Sequence, residues 1–151
     1  MRKRLIRSES ADIPDWLDLT SVTAEMSSES PAHPIEEALF PGGHGWQASE
    51  PGPQTIRLIF DHPQRIKVIN LSFNEMMIPR TQEFVLRWRS ETEPAFREIV
   101  RQQWNFSPPQ TTREDESYVV DLADVKILEL GIVPDINGGN KYASLERILV
   151  A

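Results

Sequence analysis

Apolar and polar residues alternate along several short stretches of the chain, which is the pattern of half-buried β-strands. The clearest case is residues 55–60, where the apolar side chains of Ile56, Leu58 and Phe60 alternate with their neighbours. A second apolar stretch follows at residues 65–73. Because the residues between the two stretches include an aspartate and a proline, which favour turns, we expect two antiparallel strands joined by a tight corner.

The same alternation recurs along the rest of the chain and predicts an all-β fold of about eight antiparallel strands. The remaining predicted strands lie at residues 22–27, 81–89, 96–106, 118–122, 125–133 and 144–150. The stretch at 96–106 fits a helix as well as a strand, and its position between two strands favours a strand. Turn residues separate these stretches at a spacing typical of two packed sheets, so we expect a jelly-roll β-sandwich.

One short helix is expected at residues 34–40. It begins with a proline, which suits a first helical turn, and the two acidic residues near its start favour the positive end of the helix dipole. A Pro-Gly-Gly sequence ends it. We expect residues 1–20 to form an N-terminal leader and residues 21–151 to form the sandwich domain.

Length and charge limit the classes of partner. With 151 residues the chain is long enough for one domain with its own core. Its formal net charge is −7, and four of the 16 basic residues lie in the first seven positions, which leaves 12 basic against 23 acidic residues in the rest. Such an acidic body repels nucleic-acid phosphates and anionic lipids, so we expect no nucleic-acid partner and no membrane insertion. The oligomeric state is left open.

The residue types present also limit chemistry and location. The chain has no cysteine, which excludes disulfides and thiolate metal sites, and its three histidines lack the i, i+4 spacing of a helical zinc site. No apolar stretch follows the basic N-terminus, so we expect no secretory signal and a cytoplasmic location. Nucleophile elbows, phosphate loops, dinucleotide fingerprints and metalloprotease motifs do not occur in the sequence. We therefore expect a protein that is not an enzyme and needs no cofactor.

The order of the elements resembles the discoidin, or coagulation factor 5/8 type C, superfamily of galactose-binding-like jelly-roll sandwiches. The resemblance covers roughly residues 20–151 and is carried by Ser27-Ser28-Glu29 before a short helix containing Ile35, Ala38 and Leu39, Gly45-Trp46, the Pro51-Gly52-Pro53 corner, and the stretches 55–60, 65–73 and 144–150. The segments Arg80-Thr81-Gln82-Glu83-Phe84 and Trp104-Asn105-Phe106-Ser107-Pro108-Pro109 resemble those of specific bacterial members.

The resemblance implies a non-catalytic binding module that holds its ligand with loops at one end of the sandwich. Ligands in this superfamily are sugars, lipid head groups or protein partners, and the shared fold does not choose among them. Many sugar-binding members also hold a structural calcium between the loop after the short helix and the last strand. Here Phe40-Pro41-Gly42 stands where an acidic ligand would help, and Glu146 is followed by Arg147, a cation that repels calcium. We therefore expect no metal.

Seven polar or aromatic residues of the predicted loops and strand ends are candidates for ligand binding. They are His44, Trp104, Asn105, Arg113, Asp135, Asn137 and Asn140. An imidazole on a glycine-rich loop can donate to a ligand hydroxyl, and an arginine offers a planar fork for carboxylates or hydroxyls. Each candidate also has a structural alternative, because an aromatic residue can pack in the core and aspartate or asparagine can simply form a turn.

Structural roles are favoured at three other positions. We expect the indole of Trp46 to close one end of the core rather than to stack on a sugar. In the segment Met76-Met77-Ile78 we expect at least one methionine to pack beneath its loop. Arg80 and Glu83 are expected to form an ion pair at the surface or to belong to a solvated face of the sheet, and either would contribute little stability.

Two functions follow from the sequence. The first is a module that binds a carbohydrate-like ligand through the loops around His44, residues 104–113 and residues 135–141. The alternative is a protein-interaction or scaffold domain that uses an apolar patch at residues 76–78 or on the 96–106 face. Sugar-binding modules often act outside the cell, so the expected cytoplasmic location favours the alternative.

Overall fold

The computed structural model describes residues 1–3 and 14–151, so residues 4–13 of the expected leader lie outside the described part. The described residues contain a 3-10 helix (Leu19–Ser21), one short α-helix α1 (Glu36–Leu39) and eight strands. The strands are β1 (Thr23–Met26), β2 (Trp46–Pro51), β3 (Gln54–Asn74), β4 (Arg80–Ser90), β5 (Arg97–Phe106), β6 (Arg113–Val133), β7 (Tyr142–Leu145) and β8 (Arg147–Val150). The all-β prediction is confirmed.

All strand pairs are antiparallel. The main sheet has the order β1-β3-β6-β4-β5, with β8 also paired to β3, and β2 pairs with β7 in a separate two-stranded sheet. β1 contacts the first part of β3, at Ile56–Ile59, whereas β8 contacts its last part, at Ile69–Ser72. β6 runs beside β3 along almost its whole length.

The predicted corner at residues 61–64 is wrong, because β3 continues through it as one strand of 21 residues. Its pairing register with β6 shifts between Ile59 and Val68, around the aspartate and proline that suggested a turn. Irregularities of this kind bend a strand without ending it. The predicted strands 118–122 and 125–133 are likewise joined into β6, with Asp124 at a positive φ of 65° between them.

The two halves of β3 face each other across the core. Gln54, at the start of β3, lies beside Ile132, and Ile132 lies beside Phe84 of β4. Phe73, near the end of β3, stacks on Phe84 with ring centroids 5.2 Å apart. A straight strand from Gln54 to Phe73 would span about 60 Å at ~3.3 Å per residue. The β3–β6 pair must therefore fold over at its irregular middle, which makes two layers from one pair of strands.

The C-terminal segment also differs from the prediction of a single strand at 144–150. It forms β7, which pairs with β2, and β8, which pairs with β3. The change occurs at Glu146, whose backbone N–H donates to the carbonyl of Ser72 at 2.9 Å. Trp46 is buried under these strands at 1% exposure, and its Nε1 donates to the carbonyl of Ser28, which confirms its predicted role in the core.

Folding over brings five connections to one end of the sandwich, because both ends of β3 and of β6 meet there. We call this the loop end; it comprises residues 42–45, 51–53, 74–79, 107–112 and 134–141. The irregular middle of β3 and β6 lies at the opposite end. Among residues 1–3 and 14–151, no helix has the length and apolar character to cross a membrane.

We expect Phe84→Ala to lower the free energy of unfolding by about 3–5 kcal/mol, because it removes the aromatic contact between the two layers. Urea denaturation measures the change. Val119→Ala is the control, since Val119 is 86% exposed on β6, and its effect should stay within about 0.5 kcal/mol. Equal effects of the two substitutions would contradict the packing of Phe84 between the layers.

Candidate functional site

A cleft of about 210 Å³ opens at the loop end on the outer face of the β2–β7 pair. Alternation along these strands turns Trp46, Ala143 and Leu145 inward and leaves the intervening side chains outside. The side chains that line the cleft include His33, His44, Gln47, Asn74, Glu75, Tyr142, Ser144 and Glu146. The cleft is therefore rich in hydrogen-bonding groups and contains one exposed aromatic residue, Tyr142.

His44 reaches the cleft because helix α1 holds its loop. The Glu37 carboxylate accepts a hydrogen bond from the His44 backbone N–H at 2.7 Å, and the Glu37 carbonyl accepts one from Gly45 at 3.0 Å. Gly45 has a φ of 93°, and a Cβ there would lie 3.1 Å from the Cα of Glu146. Only glycine suits this conformation and this close approach, so the loop places His44 next to the start of β8.

Arg113 joins the cleft through Glu146. Its Nη1 lies 2.6 Å from Glu146 Oε2, and its Nε lies 2.8 Å from Asp115 Oδ2. Two of the predicted candidates, His44 and Arg113, are thus brought together around a carboxylate that the sequence analysis did not assign to binding. The guanidinium balances the charge of Glu146 and orients its carboxylate, whose side chain remains 33% exposed.

Arg80 is buried, and the predicted surface pair of Arg80 with Glu83 is wrong. Arg80 Nε lies 2.7 Å from Glu75 Oε1, while Glu83 pairs with Arg101 at 2.8 Å. Arg80 Nη1 also donates to the carbonyl of Pro134 at 2.9 Å, and the guanidinium lies 4.8 Å from the ring centroid of Phe106. Two segments of the loop end, residues 74–79 and 134–141, therefore meet strands β4 and β5 at one cation.

The sequence pattern itself could have indicated that Arg80 is buried. Arg80 occupies the inward phase of the alternation that also places Gln82, Phe84 and Leu86 in the core. A charged residue in that phase must find a partner, because an unpaired buried charge is strongly destabilising. The partner, Glu75, lies in the preceding loop, and its second oxygen accepts hydrogen bonds from the backbone N–H groups of Met77 and Ile78.

The candidates Asp135, Asn137 and Asn140 lie on the loop between β6 and β7. Asp135 Oδ1 accepts hydrogen bonds from the backbone N–H groups of Asn137 at 3.1 Å and Thr81 at 3.5 Å. The hydrogen bond from Asn137 contributes most to lowering the pKa of Asp135 below its usual value. These contacts support the turn-forming role of Asp135, while the side chains of Asn137 and Asn140 are exposed.

Trp104 and Asn105 lie near the C-terminal end of β5. Neither residue lines the cleft. Trp104 is half-buried opposite Gln82, and its ring packs against the core. Among the described residues, its buried Nε1 has no hydrogen-bond partner. Asn105 is exposed and accepts a hydrogen bond from the hydroxyl of Thr81, which places it near Asp135.

Exposed apolar side chains surround the polar cleft. Met76 is 61%, Met77 82% and Ile78 45% exposed, so the expectation that one methionine packs beneath the loop is wrong. The Glu75 carboxylate folds this loop by holding its backbone, which turns the side chains outward. Within the described residues, four of the eight large exposed hydrophobic residues lie at the loop end, namely Met76, Met77, Ile78 and Ile136, and a fifth, Tyr142, begins β7 directly after it. Such clustering is typical of interaction surfaces.

Glu114 lies fully buried beneath the loop end. Its Oε1 accepts a hydrogen bond from Gln82 Nε2 at 3.1 Å, and Gln82 in turn accepts one from Arg80. Burial, together with the nearby carboxylate of Glu116, raises the pKa of Glu114 to about 8. The raised pKa favours the neutral carboxylic acid, and Arg80 and Glu75 form the charge-balanced pair of this network.

For metal binding, the described residues contain no group of three or more His, Asp or Glu side chains that could hold an ion. Glu146, the position compared with a calcium ligand, binds the Arg113 guanidinium.

No protein-family model matches the chain, and no curated protein matches it. The chain does match several solved structures. The module CpGH89CBM32-5 from Clostridium perfringens, in complex with GalNAc-β-1,3-galactose, is 16% identical with a TM-score of 0.65 over 90% of this chain and 99% of that chain. The family 32 module of NanJ from C. perfringens, in complex with galactose, is 14% identical with a TM-score of 0.63 over 89% and 96%.

A third similar structure is chitosan-binding module 1 from a chitosanase/glucanase of Paenibacillus sp. IK-5. It is 15% identical, with a TM-score of 0.59 over 89% of this chain and 98% of that chain. These three structures share the fold of this chain, which confirms the predicted β-sandwich. A shared fold hosts many functions, so the function must be argued from the cleft.

We expect the stability of the protein to fall as the pH rises from about 5 to about 8, because of Glu114. An unfolded glutamate, with a pKa of 4.5, loses its proton in this range, whereas folded Glu114 keeps it up to about 8. Protonated Glu114 therefore contributes fully to the stability below pH 4.5, and this contribution is lost as the pH rises through the pKa of the folded state. Glu114→Gln, which stays neutral, should remove a pH-dependent loss on the order of 2 kcal/mol.

Denaturant unfolding at several pH values measures this difference. Asp121→Asn is the matched control, because Asp121 is an exposed carboxylate on the same strand and pairs with Arg65 at the surface. The free energy of unfolding of Asp121→Asn should show the same pH dependence as that of the wild type. If Glu114→Gln also retains it, Glu114 is ionised in the folded protein at neutral pH.

Proposed function

We propose that this protein is a non-catalytic carbohydrate-binding module whose ligand occupies the cleft on the outer face of β2 and β7. The observation that carries the proposal is the lining of the cleft, where carboxylate, imidazole, amide and hydroxyl groups surround the exposed Tyr142. Three modules of the same fold are described in complex with sugars or as chitosan-binding, which supports this choice of ligand.

The chemistry of the lining suits a hydroxyl-rich ligand. Glu146 binds Arg113 through one carboxylate oxygen, which leaves its other oxygen as an acceptor for sugar hydroxyls, whereas both oxygens of Glu75 already accept hydrogen bonds. Asn74 and Gln47 supply both donors and acceptors, and His44 can act as either. The ring of Tyr142 offers an apolar face to the C–H groups of a pyranose.

The charges of the cleft favour a neutral sugar over an anionic one. Arg80 and Arg113 already satisfy Glu75 and Glu146, so neither guanidinium is free to bind a ligand carboxylate. An anionic group would lie beside two carboxylates on a protein of net charge −7. The small contact area implies weak binding of a single sugar.

A second function is supported by the exposed loop Met76-Met77-Ile78. An apolar loop of this exposure can bind a protein partner, because methionine side chains adapt to different surfaces. In this alternative the domain is an interaction or scaffold module.

The cytoplasmic location and the exclusion of nucleic-acid and membrane partners are retained as parts of the proposal. The acidic net charge supports the exclusion of partners that carry many phosphates. The oligomeric state is not part of it.

We expect Tyr142→Ala to weaken binding of the glycan selected on a glycan array by about tenfold, since stacking contributes about 1.4 kcal/mol. His44→Ala should weaken the same interaction, because it removes a hydrogen-bonding group. Isothermal titration calorimetry measures both. Met77→Ala is the control, since Met77 is exposed outside the cleft lining, and it should bind the glycan like wild type.

The reverse pattern would support the alternative function. Loss of a captured protein partner in Met77→Ala, with no glycan binding that depends on Tyr142, would contradict the proposed sugar site.

A further inference from the structure

A groove of about 270 Å³ lies beside the cleft, at the loop between β6 and β7. Its walls are apolar: Pro53, Val133, Pro134 and Ile136 line it together with glycines. Ile136 is 46% exposed although it is a large aliphatic residue. Polar groups occur at its rim, where the Asp135 carboxylate lies 3.4 Å from the Lys141 ammonium.

The backbone at Lys141 and Tyr142 separates the cleft from the groove. Tyr142 lines the cleft, and the preceding residue, Lys141, lines the groove. On the neighbouring chain, Pro51 lies opposite Tyr142, and the N–H of Gly52 donates to the carbonyl of Lys141 at 3.0 Å. A ligand that extends from the cleft across Tyr142 therefore enters the groove after crossing two paired backbone segments.

Arg80 fixes the relative position of the two sites. Its Nε binds Glu75, in the lining of the cleft, at 2.7 Å, and its Nη1 binds the carbonyl of Pro134, in the lining of the groove, at 2.9 Å. The guanidinium is a rigid plane and is buried, so these two walls keep a constant separation. Two sites at constant separation can recognise neighbouring units of one chain.

We propose that the groove is a second subsite, which binds the next sugar of a glycan whose end occupies the cleft. The inference rests on the proposed function and makes its ligand an oligosaccharide rather than a single sugar. The apolar C–H face of a pyranose packs on Pro53 and Ile136, while the Lys141 ammonium donates to its hydroxyls. The exposed side chain of Ile136 thereby belongs to the ligand-binding surface.

The test measures affinity against sugar length by isothermal titration calorimetry on the full chain. The probes are galactose, GalNAc-β-1,3-galactose, glucosamine and short glucosamine oligomers. For at least one pair we expect the wild type to bind the longer sugar about tenfold more tightly than the monosaccharide. Ile136→Ser should remove this gain and leave the monosaccharide affinity unchanged, because Ile136 does not line the cleft.

Two further variants protect the test from a folding artefact. Val119→Ser makes a similar change at a residue that is 86% exposed on β6, and it should keep the gain. Ile136→Leu, which preserves the apolar contact, should keep it as well. The inference is overturned if Ile136→Ser retains the full gain, or if the wild type binds monosaccharide and longer sugars equally.

If the proposed sugar site in the cleft is wrong, the binding results differ from those expected when only the groove is wrong. If no probe binds the wild type, or if Tyr142→Ala leaves the monosaccharide affinity unchanged, the cleft itself is not a sugar site, and the second subsite is overturned with it. Equal binding of short and long sugars that still depends on Tyr142 overturns only the groove.

Discussion

The continuous pairing of β3 with β6, folded over at its middle, is the constraint on which the rest of this structure depends. A single pair of long antiparallel strands supplies the centre of both layers, and Phe73 stacks on Phe84 where the layers meet. Because the bend in β3 and β6 lies at one end of the sandwich, the first and last residues of both strands lie at the opposite end. Five connecting segments therefore converge on a shared surface, where a rigid scaffold can hold binding groups in place.

A buried guanidinium holds that surface together. Arg80 binds Glu75, Gln82 and the carbonyl of Pro134, and it packs over the ring of Phe106. Placing a charge in the interior is unfavourable unless it is paired and hydrogen-bonded, and this network satisfies both conditions at Nε and Nη1. The raised pKa of Glu114 belongs to the same balance, because a second ionised carboxylate there would add a buried negative charge.

The loop end combines two kinds of surface. A polar cleft, whose carboxylates are already paired with arginines, is surrounded by exposed apolar side chains such as Met77 and Ile136. Hydroxyl-rich ligands with apolar ring faces match both kinds at once, whereas a purely apolar partner would use only the rim. This match is why the sugar-binding proposal accounts for more of the surface than the protein-interaction alternative.

Local pattern in the sequence determined the fold class, the faces of the strands and several candidates. Alternation identified the strand at residues 81–89, whose Phe84 and Leu86 are buried, the indole of Trp46 is buried as predicted, and a glycine-rich loop pointed to His44. Only the tertiary structure decided which strands pair, because hydrogen bonding between distant segments leaves no local signal. It alone distinguished a bend in β3 from a corner, and it alone brought Tyr142, Glu75 and Glu146 to His44 by pairing β2 with β7 and β3 with β8.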